Sequence, residues 1–172
     1  MSQPFVLTLR LDAASEKLLT SLRTRYFPKS RNFLNAHITL FHALPASQRT
    51  LYNETLSRIT QREKAFTIGL KDPFPLGKKG VGINVASFKL RNLHAELLDV
   101  FRDQNVELTE QDKRKIKPHV TVQNKVGEKE AKATLDELKE EFREQVGMAE
   151  ALSLWRYEEG GEWTHLEDFV LS

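Results

Sequence analysis

One four-residue pattern occurs twice in this chain, as His37-Ile38-Thr39-Leu40 and as His119-Val120-Thr121-Val122. Each copy lies in a β-prone apolar stretch, and on a strand residues i and i+2 share a face. Each copy therefore presents an imidazole and a hydroxyl together and sends two apolar side chains into a core. The copies lie nearly half the chain apart, a spacing that suggests a duplicated lobe. As a pair they form a chemical set: one imidazole takes a proton, the other gives one, and two hydroxyls hydrogen-bond an oxyanion between them. A single His-x-Thr on a strand is most often a strand histidine beside a β-branched neighbour. Repetition, using two of only five histidines, turns the reading towards catalysis.

The duplicated motif resembles the 2H phosphoesterase superfamily, and within it the 2′-5′ RNA ligase-like or cyclic phosphodiesterase branch. The resemblance runs from the opening strand Pro4–Leu11 to the closing segment Trp155–Leu171. It implies an α+β fold of two pseudo-symmetric lobes, each with an antiparallel sheet flanked by helices, and an active-site groove between them. It also implies that His37 and His119 are the acid/base pair and that Thr39 and Thr121 contact phosphate. Many members carry an arginine just after the second motif, whereas here the chain reads Gln123-Asn124-Lys125. A cationic phosphate contact then has to come from Lys125 or from elsewhere. The implied activity is metal-independent hydrolysis of nucleoside or RNA-terminal 2′,3′-cyclic phosphates, with 2′-5′ RNA ligation as its reverse. RNA ends or cyclic nucleotides are the implied partners, with no cofactor. The competing class is a non-catalytic module binding RNA or nucleotides in the same groove, a task that needs no second proton-transfer group.

Composition fits that reading and excludes others. At 172 residues the chain fits one domain of two lobes with a substantial apolar interior. A net charge of +2 and a pI near 8.8 lean towards anionic ligands but fall short of a nucleic-acid coat protein, so RNA contact should be local. Cysteine is absent, which excludes a disulfide frame and thiolate metal ligation. His37 and His119 also lack a third ligand at a metal-binding spacing. The first ten residues hold no basic segment followed by an apolar run, and no stretch reaches transmembrane length. The expectation is a cytoplasmic monomer that makes no membrane contact.

Periodicity predicts the elements. Phe5–Leu11 alternates like a half-buried strand, and Asp12 caps a helix over Ala13–Tyr26. The first motif strand runs Ala36–Phe41, followed by a helix Ser47–Ile59 capped by Ser47. Ala65–Leu70 is a strand, Lys71–Gly80 a turn-rich loop and Val81–Ala86 the returning strand. Phe88–Gln104 is a helix. Pro118 opens the second motif strand, and Glu128–Val146 is a charged helix whose inward residues include Phe142. Ala149–Tyr157 and Trp163–Leu171 pair through Glu158-Glu159-Gly160-Gly161. The glycines of Gly77–Gly82 enter a strand where nucleotide-binding loops enter a helix, so they make no phosphate cradle.

Strand parity extends the site. Phe41 shares a face with His37 and Thr39, and Gln123 with His119 and Thr121, if both strands stay regular; Phe41 could then stack on a nucleobase. Lys79 and Lys125 are candidates for the substrate's charge. The run Lys113-Arg114-Lys115-Ile116-Lys117 is either an RNA track or a solvated loop. His42 has the opposite parity to His37 and should point away, and His42, His94 and His165 read as structural.

Overall fold

The computed structural model describes residues 2–172. Seven strands and four helices follow one another as β1 (Phe5–Leu11), α1 (Ala13–Tyr26), β2 (Ile38–Leu44), α2 (Arg49–Arg62), β3 (Phe66–Leu76), β4 (Gly80–Ala86), α3 (Phe88–Asp103), β5 (His119–Gln123), α4 (Glu128–Glu141), β6 (Gln145–Tyr157) and β7 (Trp163–Val170). All strand pairs are antiparallel, so the α+β class expected from the sequence stands.

The strand order, β2-β1-β6-β3-β4-β5 with β7 beside β6, carries the duplication. Chain order falls into two repeats, β1-α1-β2-α2-β3 and β4-α3-β5-α4-β6, and exchanging them maps the six-strand order onto its reverse. Each repeat gives its third strand to the other: β6 lies against β1 and β3 against β4. The two half-sheets are fused through β6. Its first residues pair with β3, and the rest pair with β1 on one edge and β7 on the other. The sheet coils far enough that β2 and β5, first and last in the order, touch each other, and α1 packs on β5.

Asp12 caps α1 by accepting the amide of Ser15, and its other oxygen accepts from the amide of Met148 in β6. That bond welds the first helix start to the shared strand. Ser87 caps α3 in the same way. Between the sheet and its helices lies an apolar core that includes Leu7, Leu9, Phe41, Tyr52, Leu56 and Phe101.

Several elements differ from the sequence reading, among them β2, which starts at Ile38 and runs on to Leu44. β1 is buried on both faces, because Thr8, on its polar face, lies under Trp155 and accepts the indole N–H at 2.9 Å. β3 runs on through Pro73 and Pro75, since beyond Leu70 it has lost β6 as a neighbour and an edge needs no N–H on that side. Its turn to β4 uses Gly77 at φ 54. A 3₁₀ turn, Ala46–Gln48, precedes α2, so Ser47 is no cap. α4 stops at Glu141, with Phe142 as an extended C-cap packed on the core, and Gln145 and Val146 already belong to β6.

Candidate active site

Both motifs sit at the N-terminal ends of the strands at the two margins of the sheet. His119 opens β5, and His37 immediately precedes β2. Each imidazole is fixed in the same way: His37 Nδ1 lies 2.8 Å from the carbonyl of Asn35, and His119 Nδ1 lies 2.8 Å from the carbonyl of Lys117. A carbonyl only accepts, so Nδ1 carries the proton in both rings and Nε2 is left for chemistry. Thr39 and Thr121 are half-buried. Among the described residues neither hydroxyl is engaged in a hydrogen bond, which leaves both available to a ligand.

The same irregularity follows each motif. In β2 the register moves from Thr8↔Thr39 to Leu7↔Phe41, and in β5 from Gly82↔Thr121 to Val81↔Gln123. One residue, Leu40 or Val122, is extra in each strand, a β-bulge that reverses parity beyond it. The expected neighbours are thereby displaced. Phe41 is fully buried and stacks on His94 at 4.6 Å, so it is core and not a base-stacking surface. Gln123 is also buried, with its amide donating to Thr134 at 2.8 Å. His42 moves the other way. It joins the side of Thr39 and lines a cavity of about 410 Å³ with Thr39 and His119, contrary to the parity reading.

The surroundings of the two imidazoles differ. His37 packs against Trp163 with ring centroids 4.7 Å apart. It borders a cavity of about 350 Å³ walled by Phe33, Trp155 and Trp163, with Arg10 and Asp168 as its ion pair. Desolvation pushes His37 down to about 4; the bond to Asn35 opposes this, and the charges of Arg23, His42 and His119 add to it. His119 instead meets the edge of Phe74 at 5.6 Å. Phe74 reaches that position because Gly82, facing Thr121, has no side chain: a Cβ there would stand 2.8 Å from the ring.

Arg23, on α1, is buried and among the described residues has no carboxylate partner. Its guanidinium donates to the Asn32 side chain and the Leu34 carbonyl, in the loop before His37, and to the carbonyl of Thr121 at 2.9 Å. One cation thus locks the two motifs to each other, and desolvation lowers its pKa only to about 10, so it stays charged.

The sequence-predicted cations divide. Lys79 and Lys125 are exposed at the opposite end of β5 from His119 and line neither cavity. Arg114, Lys115 and Lys117 of the basic run line the cavity of His42 and His119. His94 is structural, buried with Nε2 against the Leu40 carbonyl. His165 is held by Asp168 at 2.8 Å on the wall of the aromatic cavity. Arg23, Phe74, Asp112 and Trp163 were missed. Each of them meets its partner across the fold, at Thr121, His119, His42 and His37 respectively, so the sequence held no signal for them.

Among the described residues, no helix is long and apolar enough to cross a membrane. Comparison with curated proteins finds no match in sequence. Solved structures match along the whole chain: TT0787 of Thermus thermophilus has a TM-score of 0.72 at 17% identity, covering 98% of this chain and 97% of that one. A protein described as a phosphoesterase gives 0.66 at 17%, covering 100% and 99%. E. coli LigT, solved with 3′-AMP, gives 0.63 at 16%, covering 100% and 99%. These likenesses establish the fold. The sequence profile of the 2′-5′ RNA ligase superfamily matches residues 11–161, and with most of its length inside that match the chain belongs to this superfamily.

Proposed function

We propose that the protein is a metal-independent phosphodiesterase acting on nucleoside or RNA-terminal 2′,3′-cyclic phosphates, with His37 as general base and His119 as general acid. The observation that carries this reading is the matched pair of imidazoles, each with Nδ1–H tied to the carbonyl two residues back and Nε2 free. Water attacks phosphorus while His37 Nε2 takes its proton, the bond from phosphorus to one ribose oxygen breaks, and His119 Nε2–H protonates that oxygen. The product is a phosphomonoester beside a free hydroxyl. His37 is the base because desolvation keeps its ring neutral at physiological pH. Thr39 and Thr121 hydrogen-bond the non-bridging oxygens as charge builds. With a ribose 5′-hydroxyl as the nucleophile in place of water, the same groups join RNA ends: the 5′ oxygen attacks phosphorus, the bond from phosphorus to the 3′ oxygen breaks, His119 protonates that oxygen, and a 2′-5′ diester remains.

The aromatic cavity beside His37 gives the nucleobase a stacking surface on Trp155 and Trp163, the role that strand parity had assigned to Phe41. Nucleotide chemistry also fits the neighbours, since one solved LigT structure holds 3′-AMP. The test is turnover of a nucleoside 2′,3′-cyclic phosphate by the pure protein in EDTA, read by chromatography of the product. Release of a monophosphate supports the reading. Tight binding without turnover would make the protein a non-catalytic nucleotide-binding module, and activity restored by a divalent ion would make it a metallophosphoesterase.

A further inference from the structure

Resting on that reading, we propose that His42 and Asp112 build a second phosphate subsite on the His119 side of the reacting centre. It takes the phosphate on the 5′ oxygen of the nucleotide being cleaved. The bulge at Leu40 brings His42 to the side of Thr39, and Asp112 then fixes it. The Asp112 side chain is 1% exposed. It accepts the amides of His42 and Ala43 at 2.8 and 2.9 Å and faces His42 Nδ1 at 3.3 Å. Burial would raise its pKa, but these hydrogen bonds outweigh that and hold it below the usual carboxylate range. Asp112 is therefore an anion turned towards β2, and it orients the imidazole with Nε2 outward. The one partner of Nε2 among the described residues is the Gln111 amide, at 3.5 Å, a contact that a ligand oxygen can replace. With Nδ1 turned to Asp112, Nε2 is the ring atom presented to a ligand oxygen.

The same carboxylate anchors the start of the basic run. Asp112 directly precedes it and is bonded to β2, while the carbonyl of Lys113 accepts from Arg102 of α3 at 2.8 Å. The backbone at the start of the run is thus tied to β2 and α3, while the side chains of Arg114, Lys115 and Lys117 remain exposed. Arg114, Lys115 and Lys117 share the cavity with Thr39, His42 and His119, and among the described residues none of these three cations is in an ion pair. A nucleoside cyclic phosphate brings one phosphate, which the paired histidines and threonines engage. The three unneutralised cations and the oriented His42 then remain for another phosphate.

Calorimetry reads this without turnover. Nucleoside 3′-monophosphate and nucleoside 3′,5′-bisphosphate are titrated into the wild type, into His42→Asn and into the double variant Arg114→Ala, Lys115→Ala. Melting curves confirm that each variant is folded. The wild type should bind the bisphosphate about tenfold tighter or better, the worth of one charge-assisted hydrogen bond, and both variants should lose most of that preference. A dinucleotide with a 3′-terminal phosphate carries the second group as a diester. Affinity matching the bisphosphate would identify an RNA chain as its source, and affinity matching the monophosphate would identify a 5′-terminal monoester. No preference in the wild type, or a full preference retained by His42→Asn, overturns the proposal. A protein that prefers the bisphosphate yet hydrolyses no cyclic phosphate would keep this subsite and lose only the catalytic reading.

Discussion

The two repeats carry the same motif, the same histidine tether and the same bulge, yet they end in different surroundings. On the first side His37 lies against Trp163, beside a cavity of indoles and a neutralised Arg10–Asp168 pair. On the second, His119 lies against Phe74 and borders a cavity lined by Arg114, Lys115 and Lys117, which form no ion pair among the described residues. Duplication supplies two equivalent imidazoles; the difference between acid and base has to come from what each repeat packs beside them. The difference on this account is desolvation, which lowers the proton affinity of His37.

Removing either member of the pair should have the largest effect. His37→Ala and His119→Ala should each reduce kcat by about a hundredfold or more, the usual worth of a positioned acid or base. The double variant should be little worse than either single one, because the pair acts as a unit. Steady-state kinetics with circular dichroism checks this, and a folded variant with near-normal kcat would break the pairing.

Smaller losses should follow for groups that touch only one side. Trp163→Ala should raise KM for cyclic nucleotides roughly tenfold, since a stacked base is worth about 1–3 kcal/mol. It should have little influence on a cyclic phosphate that lacks a base. Thr39→Val and Thr121→Val should each lower kcat by about tenfold, one hydrogen bond to developing charge. A loss confined to KM would make them anchors of the ground state.

Two predictions sharpen the contrast without substrate turnover as the main readout. Arg23→Met should lower stability by about 2–3 kcal/mol, because the Leu34 and Thr121 carbonyls lose a charged donor; thermal melting measures it. Folding lowers the His37 pKa from 6.5 to about 4, so between these values the unfolded chain binds the extra proton and stability falls as pH falls. His37→Asn should flatten that part of the stability profile. For the same reason the acidic limb of kcat/KM should lie well below the ordinary imidazole range.

Much of this was legible in the sequence because it depends on local pattern. The four motif residues, the Asp12 cap, the α1 limits and the last hairpin follow from periodicity and turn chemistry. The bulges left no local signal. Leu40 and Val122 read as ordinary strand residues, and parity carried past them sent Phe41 and Gln123 to the groove and His42 away from it. Arg23 and Asp112 were invisible for another reason: their partners lie across the fold, at Thr121 and His42, and no spacing records a contact between distant segments. Lys79 and Lys125 were nominated by charge alone, which says nothing about which end of β5 a side chain occupies.

The division of labour between two identical motifs is tested most directly by changing the leaving group. A nucleoside 3′-(4-nitrophenyl phosphate) lacking the 2′-hydroxyl still needs an activated water, but its leaving phenolate departs without a proton. If His37 is the base and His119 the acid, the defect of His119→Ala should shrink towards wild type on this substrate while that of His37→Ala persists. Rescue of His37→Ala with no rescue of His119→Ala, or equal defects in both, would contradict the assignment.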